Sequence, residues 1–275
     1  MSAAVPGWLL NHPVVPDAGL AGGEAQAIAV LEALVHHRHN AAELMPRAPA
    51  VIPRLLSMLR QDDRSLSALS QRVAADVMLS AEVIRQAHSA AHAHRHESHG
   101  QAIDLPQALA LLGADGLRAV IARVVLRPLF DGQAGRLSAV ASARVWRLAE
   151  SQAQHAAGLA AGQGLDPFVG YLGGLVHSTA WTVALRALDR QQPPVALPLT
   201  EAFAQRLVPL ADALFGKVVA DWRLTPALTA LCRELRGGAP LDALPLGAVL
   251  RQAQQAAALD LLEGGADRLI PTSDQ

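Results

Sequence analysis

Five histidines, His88, His92, His94, His96 and His99, fall within 12 residues of one another. Neutral imidazoles bind zinc, nickel or copper, and a pliable tract can bring two or three of them onto one ion. His92 and His96 would share a face if the tract were helical. No supporting carboxylate arrangement is visible beside them, however, and ligating histidines depend on such partners for their orientation. Five imidazoles are also hard to bury together, because each ring needs a partner for both nitrogens. With Arg95, Glu97, Ser98 and Gly100 between them, the tract is predicted to be an exposed link over 90–100. Metal binding at His92, His94, His96 and His99 would then be weak and adventitious. A smaller group, His36, His37 and His39, closes an earlier helical pattern.

Other chemistry is sparse. The single cysteine, Cys232, excludes a disulfide framework and a multi-cysteine zinc site, and points to a reducing compartment. It sits in the apolar run 228–232 and reads as a small core residue, not a nucleophile. No GxxxxGK[ST] phosphate loop and no GxSxG esterase elbow occurs. Lys and Arg total 23 against 24 Asp and Glu, for a net charge of −1. Such a chain has no global field to hold a polyanion, so nucleic acid is not an expected partner.

The elements that must position these groups are helices. Hydrophobic residues make up 51% of the 275 residues and aromatic residues only 3%, with no useful strand-period alternation. Residues 1–22 are rich in Pro and Gly and are predicted to be irregular. From Gly23 the 3.6-residue pattern begins, with Ala27, Val30, Leu31, Leu34 and Val35 on one face. Met45 to Pro49 breaks it, and Val51, Leu55, Leu56 and Leu59 resume it. Ser65, Asp76, Asp104 and Asp115 are predicted helix starts, and Gly113 a stop. After a connection at 131–136, helices are predicted over 137–162, 168–189, 200–221, 225–236 and 245–263, with Pro209 a possible point of breakage. The expectation is an all-α protein of roughly ten to twelve helices in two packed halves, judged against a mean helix of about 11–12 residues.

The stretch Pro167 to Leu185 carries no charge over 19 positions, close to the ~20 that span a bilayer. Its Gly170, Gly173, Gly174, His177, Ser178 and Thr179 suit a helix buried in a bundle better than a membrane span. Met1 to Pro13 has no basic cluster and no long apolar run, so no signal peptide is indicated. No membrane partner is expected, and the expected location is the cytoplasm.

Residues 44–113 form a recognisable series: Leu44 to Val51, Leu55-Leu56 and Leu59, Ser65 to Leu69, Asp76, Val83 to Ala90, Ile103, Ala108 and Leu111-Leu112-Gly113. Trp146-Arg147, Gly173 to His177, Gly216, Asp221-Trp222 and Leu224-Thr225-Pro226 continue it. The whole resembles the HDOD domain, a bacterial signalling module, over about 40–236. The resemblance implies a single helical domain over 23–266 with an HD-like bundle fold, a C-terminal helix at about 245–263 and a tail at 267–275. It also implies kinship with the HD phosphohydrolases, in which histidines and aspartates hold one or two divalent metals that activate water.

On that resemblance, Gly174 to Ser178 covers the place of the His-Asp pair, with His177 kept and Ser178 in place of the aspartate. An earlier ligand histidine aligns near Leu148, and further ones near Asp212 and near Arg233-Glu234. A serine is a poor metal ligand, a leucine is none, and a cation at Arg233 opposes metal charge. No catalytic residue, intact metal site or cofactor is therefore expected, and His177 is expected to be a core histidine bonded to a neighbouring helix. The implied function is a non-catalytic regulatory or scaffold protein of bacterial signal transduction, acting through a signalling protein partner. Two alternatives compete with it: a degenerate HD-type metal-dependent phosphohydrolase, and a small-molecule sensor using the former active-site cleft.

Overall fold

The computed structural model describes residues 3–16, 19–36, 43–59, 65–94, 103–131 and 135–263. Among these residues every named element is helical, and the sole β pairing is an isolated bridge between Val15 and Thr200. The chain divides into two compact units, one of residues 47–128 and one of residues 1–46 with 129–275. The junction after Pro128 lies near the expected connection at 131–136. The first 46 residues, however, fold with the C-terminal part.

The unit of 47–128 holds α3 (Ala48–Met58), α4 (Leu66–Ala74), α5 (Val77–His94) and α6 (Leu105–Leu126). Short polar side chains start three of them. Ser65 Oγ accepts from the Ala68 amide, Asp76 Oδ1 from Met78 and Leu79, and Asp104 forms a reciprocal capping box with Gln107. Gly113 interrupts α6 with φ 62°, a conformation that favours glycine. Leu55, Leu69, Val73, Leu79, Val83, Leu117 and Ile121 form the buried interior.

α5 corrects the expected link over 90–100. Its backbone stays helical to His94, so His92 and His94 lie on its last turn. Ala87, Ala90, Ala91 and Ala93 are strong helix formers and carry the helix through the first of the tract. His96 and His99 lie outside the described residues, as does the tail at 267–275.

The other unit holds α1 (Ala4–Leu10), α2 (Glu24–His36), α7 (Arg136–Gly162), α8 (Pro167–His177), α9 (Thr179–Asp189), α10 (Glu201–Val219), α11 (Pro226–Arg236) and α12 (Pro245–Glu263). α1 corrects the expectation that 1–22 is irregular. Pro6 falls in its first turn, where a missing amide costs nothing, and Val5, Leu9 and Leu10 are buried. Pro209 does not break α10, whose neighbouring Leu207, Val208 and Ala211 are all buried. The expected helix over 168–189 is instead two, α8 and α9, divided at Ser178. Just past the break, Thr179 Oγ1 donates to the Val176 carbonyl at 2.6 Å, drawing on the backbone itself. This pair is long and apolar enough to cross a membrane, and 89% of its most apolar window is buried inside the protein.

Glycine and alanine set the closest contact of this unit. A Cβ on Gly170 would lie 2.5 Å from the Ala156 carbonyl oxygen, and one on Gly174 2.6 Å from the Ala153 Cα. α8 thus lies directly on the small face of α7 formed by Ala149, Ala153, Ala156 and Ala160. α12 packs on α7 and α8, and α10 on α2, α9 and α11.

Near the start of α2, the buried Glu24 receives the Ala21 amide at 2.7 Å, the Thr200 amide at 2.9 Å and the Thr200 hydroxyl at 2.7 Å. The Thr200 hydroxyl in turn accepts from the Phe203 amide and caps α10.

Candidate functional site

The close seat of α8 on α7 brings Gln152 beside His177, the last residue of α8. Gln152 Nε2 lies 3.0 Å from His177 Nδ1, and its Oε1 accepts from Ser178 Oγ at 3.0 Å. His177 Nε2 faces Asp212 Oδ1 of α10 at 3.0 Å. Arg251 Nη1 of α12 donates to Asp212 Oδ2 at 2.8 Å, and Gln254 Nε2 to Oδ1 at 3.4 Å. The Phe215 ring meets the imidazole edge-on at 4.8 Å between centroids. Four helices and the α8–α9 junction at Ser178 therefore converge on one continuous chain of hydrogen bonds running from Ser178 to Arg251.

The polarity of that chain follows from its ends. The Ser178 hydroxyl donates to Gln152 Oε1, leaving the Gln152 amide nitrogen to donate to His177 Nδ1. With Gln152 so turned, Nδ1 accepts from its amide and Nε2 donates to Asp212. The permanent charge of Arg251 balances the Asp212 carboxylate. Burial pushes the Asp212 carboxyl up, but His177 and then Arg251 outweigh it and hold the group below its ordinary value of 3.8. The whole assembly is deep: His177 is 1% exposed and Asp212 5%, whereas the Arg251 side chain is 27% exposed and is the member that reaches water.

The resemblance to the HD phosphohydrolases implies a divalent metal here, and the residues present do not fit one. Both imidazole nitrogens are engaged by protein partners, and one Asp212 oxygen is taken by a guanidinium whose charge repels a cation. Among the described residues, no group of three or more His, Cys, Asp or Glu side chains is placed to hold a metal ion. What the arrangement does chemically is hold a carboxylate ionised away from water, with its donors fixed in place.

His177 and Ser178 thus lie in one network with Asp212. Leu148 is buried one turn before Gln152 and contributes no polar atom. Arg233 and Glu234 are exposed on α11, outside the network. Cys232 is fully buried, and burial pushes its thiol up to about 12 against the opposing charge of Arg236, which removes it as a nucleophile. Sequence reasoning missed Gln152, Arg251 and Gln254. Gln152 stands alone as a polar side chain on the alanine face of α7, which is the one signal that marked it. A cavity of about 800 Å³ opens elsewhere in this unit, lined by Trp8, Asn11, His12, Arg144, Glu201 and Gln205, and none of the network residues lines it.

The family model for the HDOD domain matches residues 45–235. That span takes in Gln152, His177, Ser178 and Asp212 and ends before α12. No curated protein and no solved structure matches the chain.

Proposed function

The chain belongs to the HDOD family, and from that premise we propose that it is a non-catalytic regulatory or scaffold protein of bacterial signal transduction that works by binding another protein. The observation that carries this proposal is the state of the site at His177. A hydrolytic metal centre needs open coordination positions and anionic ligands. Here the histidine is closed by Gln152 on one side and Asp212 on the other, and a guanidinium stands on the remaining carboxylate oxygen. Ser178 supplies a hydroxyl to Gln152 in place of a second carboxylate. A helical body whose polar centre is locked in this way offers its surfaces, not a reaction, as its means of action. The proposed setting is the cytoplasm.

The experiment has two arms. Purified protein is assayed against phosphomonoesters, phosphodiesters and nucleotides with Mn, Mg, Ni or Fe present, and no turnover is expected. A metal-dependent rate that His177→Ala abolishes would overturn the non-catalytic reading. Crosslinking in the native organism followed by reciprocal capture of the partner with purified proteins tests the binding role. A chain that stays free of protein partners in that experiment would overturn it.

A further inference from the structure

Arg251 and Gln254 come from α12, which begins at Pro245, ten residues past the end of the family match at 235. Asp212 sits in the body of α10, between Ala211 and Ala213, far from the amides of a helix start. A carboxylate buried there has no backbone donors to replace lost water, and an uncompensated buried charge is severely unfavourable. His177 supplies one hydrogen bond. The permanent positive charge among the partners of Asp212 is that of Arg251, at 2.8 Å.

We propose that Arg251 is the built-in counter-cation of this site, neutralising the buried Asp212 charge from within the chain, and that α12 acts as a cap holding the site shut. This deepens the non-catalytic reading of the site and rests on it, but it does not depend on any partner. Three features support a cap. Gln254, 1% exposed, fills the other side of Asp212 and also receives Arg251 Nη1 at 3.3 Å, so the two α12 side chains act together. One turn and a half further on, Asp260 pairs with His155 of α7 at 2.6 Å, fixing the far end of α12 over the same helix that carries Gln152. Leu246, Val249, Leu250, Ala253, Ala257 and Ala258 form the buried face of α12 itself.

The test is a double-mutant cycle on the full chain, read as thermal unfolding midpoints of the wild type, Arg251→Met, Asp212→Asn and the double variant. Methionine keeps the bulk of the stem and removes the charge. Arg251→Met alone is expected to lower the midpoint by about 6 °C, as for an ion left unpaired in a chain of this size. In the Asp212→Asn background, the same change is expected to cost nothing or to raise the midpoint, because there the guanidinium is the ion without a partner. Equal losses in the two backgrounds would show that Arg251 acts independently of Asp212 and would overturn the proposal. Should Arg251→Met fail to fold, the comparison of Asp212→Asn with the double variant decides alone: a double variant at least as stable supports the counter-cation role, and a less stable one refutes it. Absence of phosphatase turnover has no bearing on this outcome, so the two proposals fail separately.

Discussion

Two buried carboxylates in the same unit, Glu24 and Asp212, are held by opposite means. Glu24 stands in the first turn of α2 and is met by two backbone amides and the hydroxyl of Thr200, all neutral donors at or near helix starts. The partial positive charge of those helix ends suits an anion. Asp212 stands within α10, has no such field, and is met by an imidazole from α8 and an amide and a guanidinium from α12. The first arrangement ties the starts of two helices, 176 residues apart in sequence, and is part of how the bundle closes. The second gathers side chains of three helices around a carboxylate in the middle of one of them.

This contrast predicts different costs for the same isosteric change. Glu24→Gln sets an amide NH2 against a fixed backbone N–H whichever way it turns, and is expected to cost about 3 kcal/mol by leaving a buried donor unpaired and removing charge-assisted bonds. Asp212→Asn is expected to cost about half that, roughly 1.5 kcal/mol, because its network adapts. The imidazole can shift its proton to Nδ1, Gln152 can turn over, the Ser178 hydroxyl can rotate, and Arg251 can reach water. Urea unfolding of both variants measures the difference, and a larger loss for Asp212→Asn would break the comparison.

Acid sharpens it. The folded-state pKa of Asp212 lies below its ordinary value of 3.8, so the unfolded chain binds the proton more readily. The stability from Asp212 is therefore fully present above about pH 4 and lost as pH falls through the lower folded value. The gap between wild type and Asp212→Asn is expected to narrow as pH falls below about 4, measured as urea midpoints from pH 7 downward. A gap that widens on acidification would contradict the depressed pKa. At the small end, Ser178→Ala removes the donor to Gln152 Oε1 and is expected to cost about 1 kcal/mol, leaving the imidazole contacts in place.

Much of this was legible before any coordinates. The helices of 136–162, 226–236 and 245–263 follow from apolar periodicity, and the starts at Ser65, Asp76 and Asp104 from short polar side chains that do cap them. α1 was not legible, because a Pro- and Gly-bearing segment becomes a helix only through the burial of Val5, Leu9 and Leu10 against the rest of its unit. The break at Ser178 was hidden inside an uninterrupted apolar run. His177, Ser178 and the position of Asp212 could be located through the resemblance, but Gln152, Arg251 and Gln254 could not. Gln152 is chosen by the Gly174 contact that seats α8 on α7, and Arg251 belongs to a helix beyond the family match. Tertiary packing, which no local spacing encodes, decides both.

The most direct test of the account is a hydrolysis assay at the His177 site, with Mn, Mg, Ni and Fe each supplied to wild type and to His177→Ala against a panel of phosphate esters. No turnover above the His177→Ala background with any of the metals is the expected result. A metal-dependent rate in the wild type that disappears in His177→Ala would show a working centre where the structure places a closed network, and would contradict it.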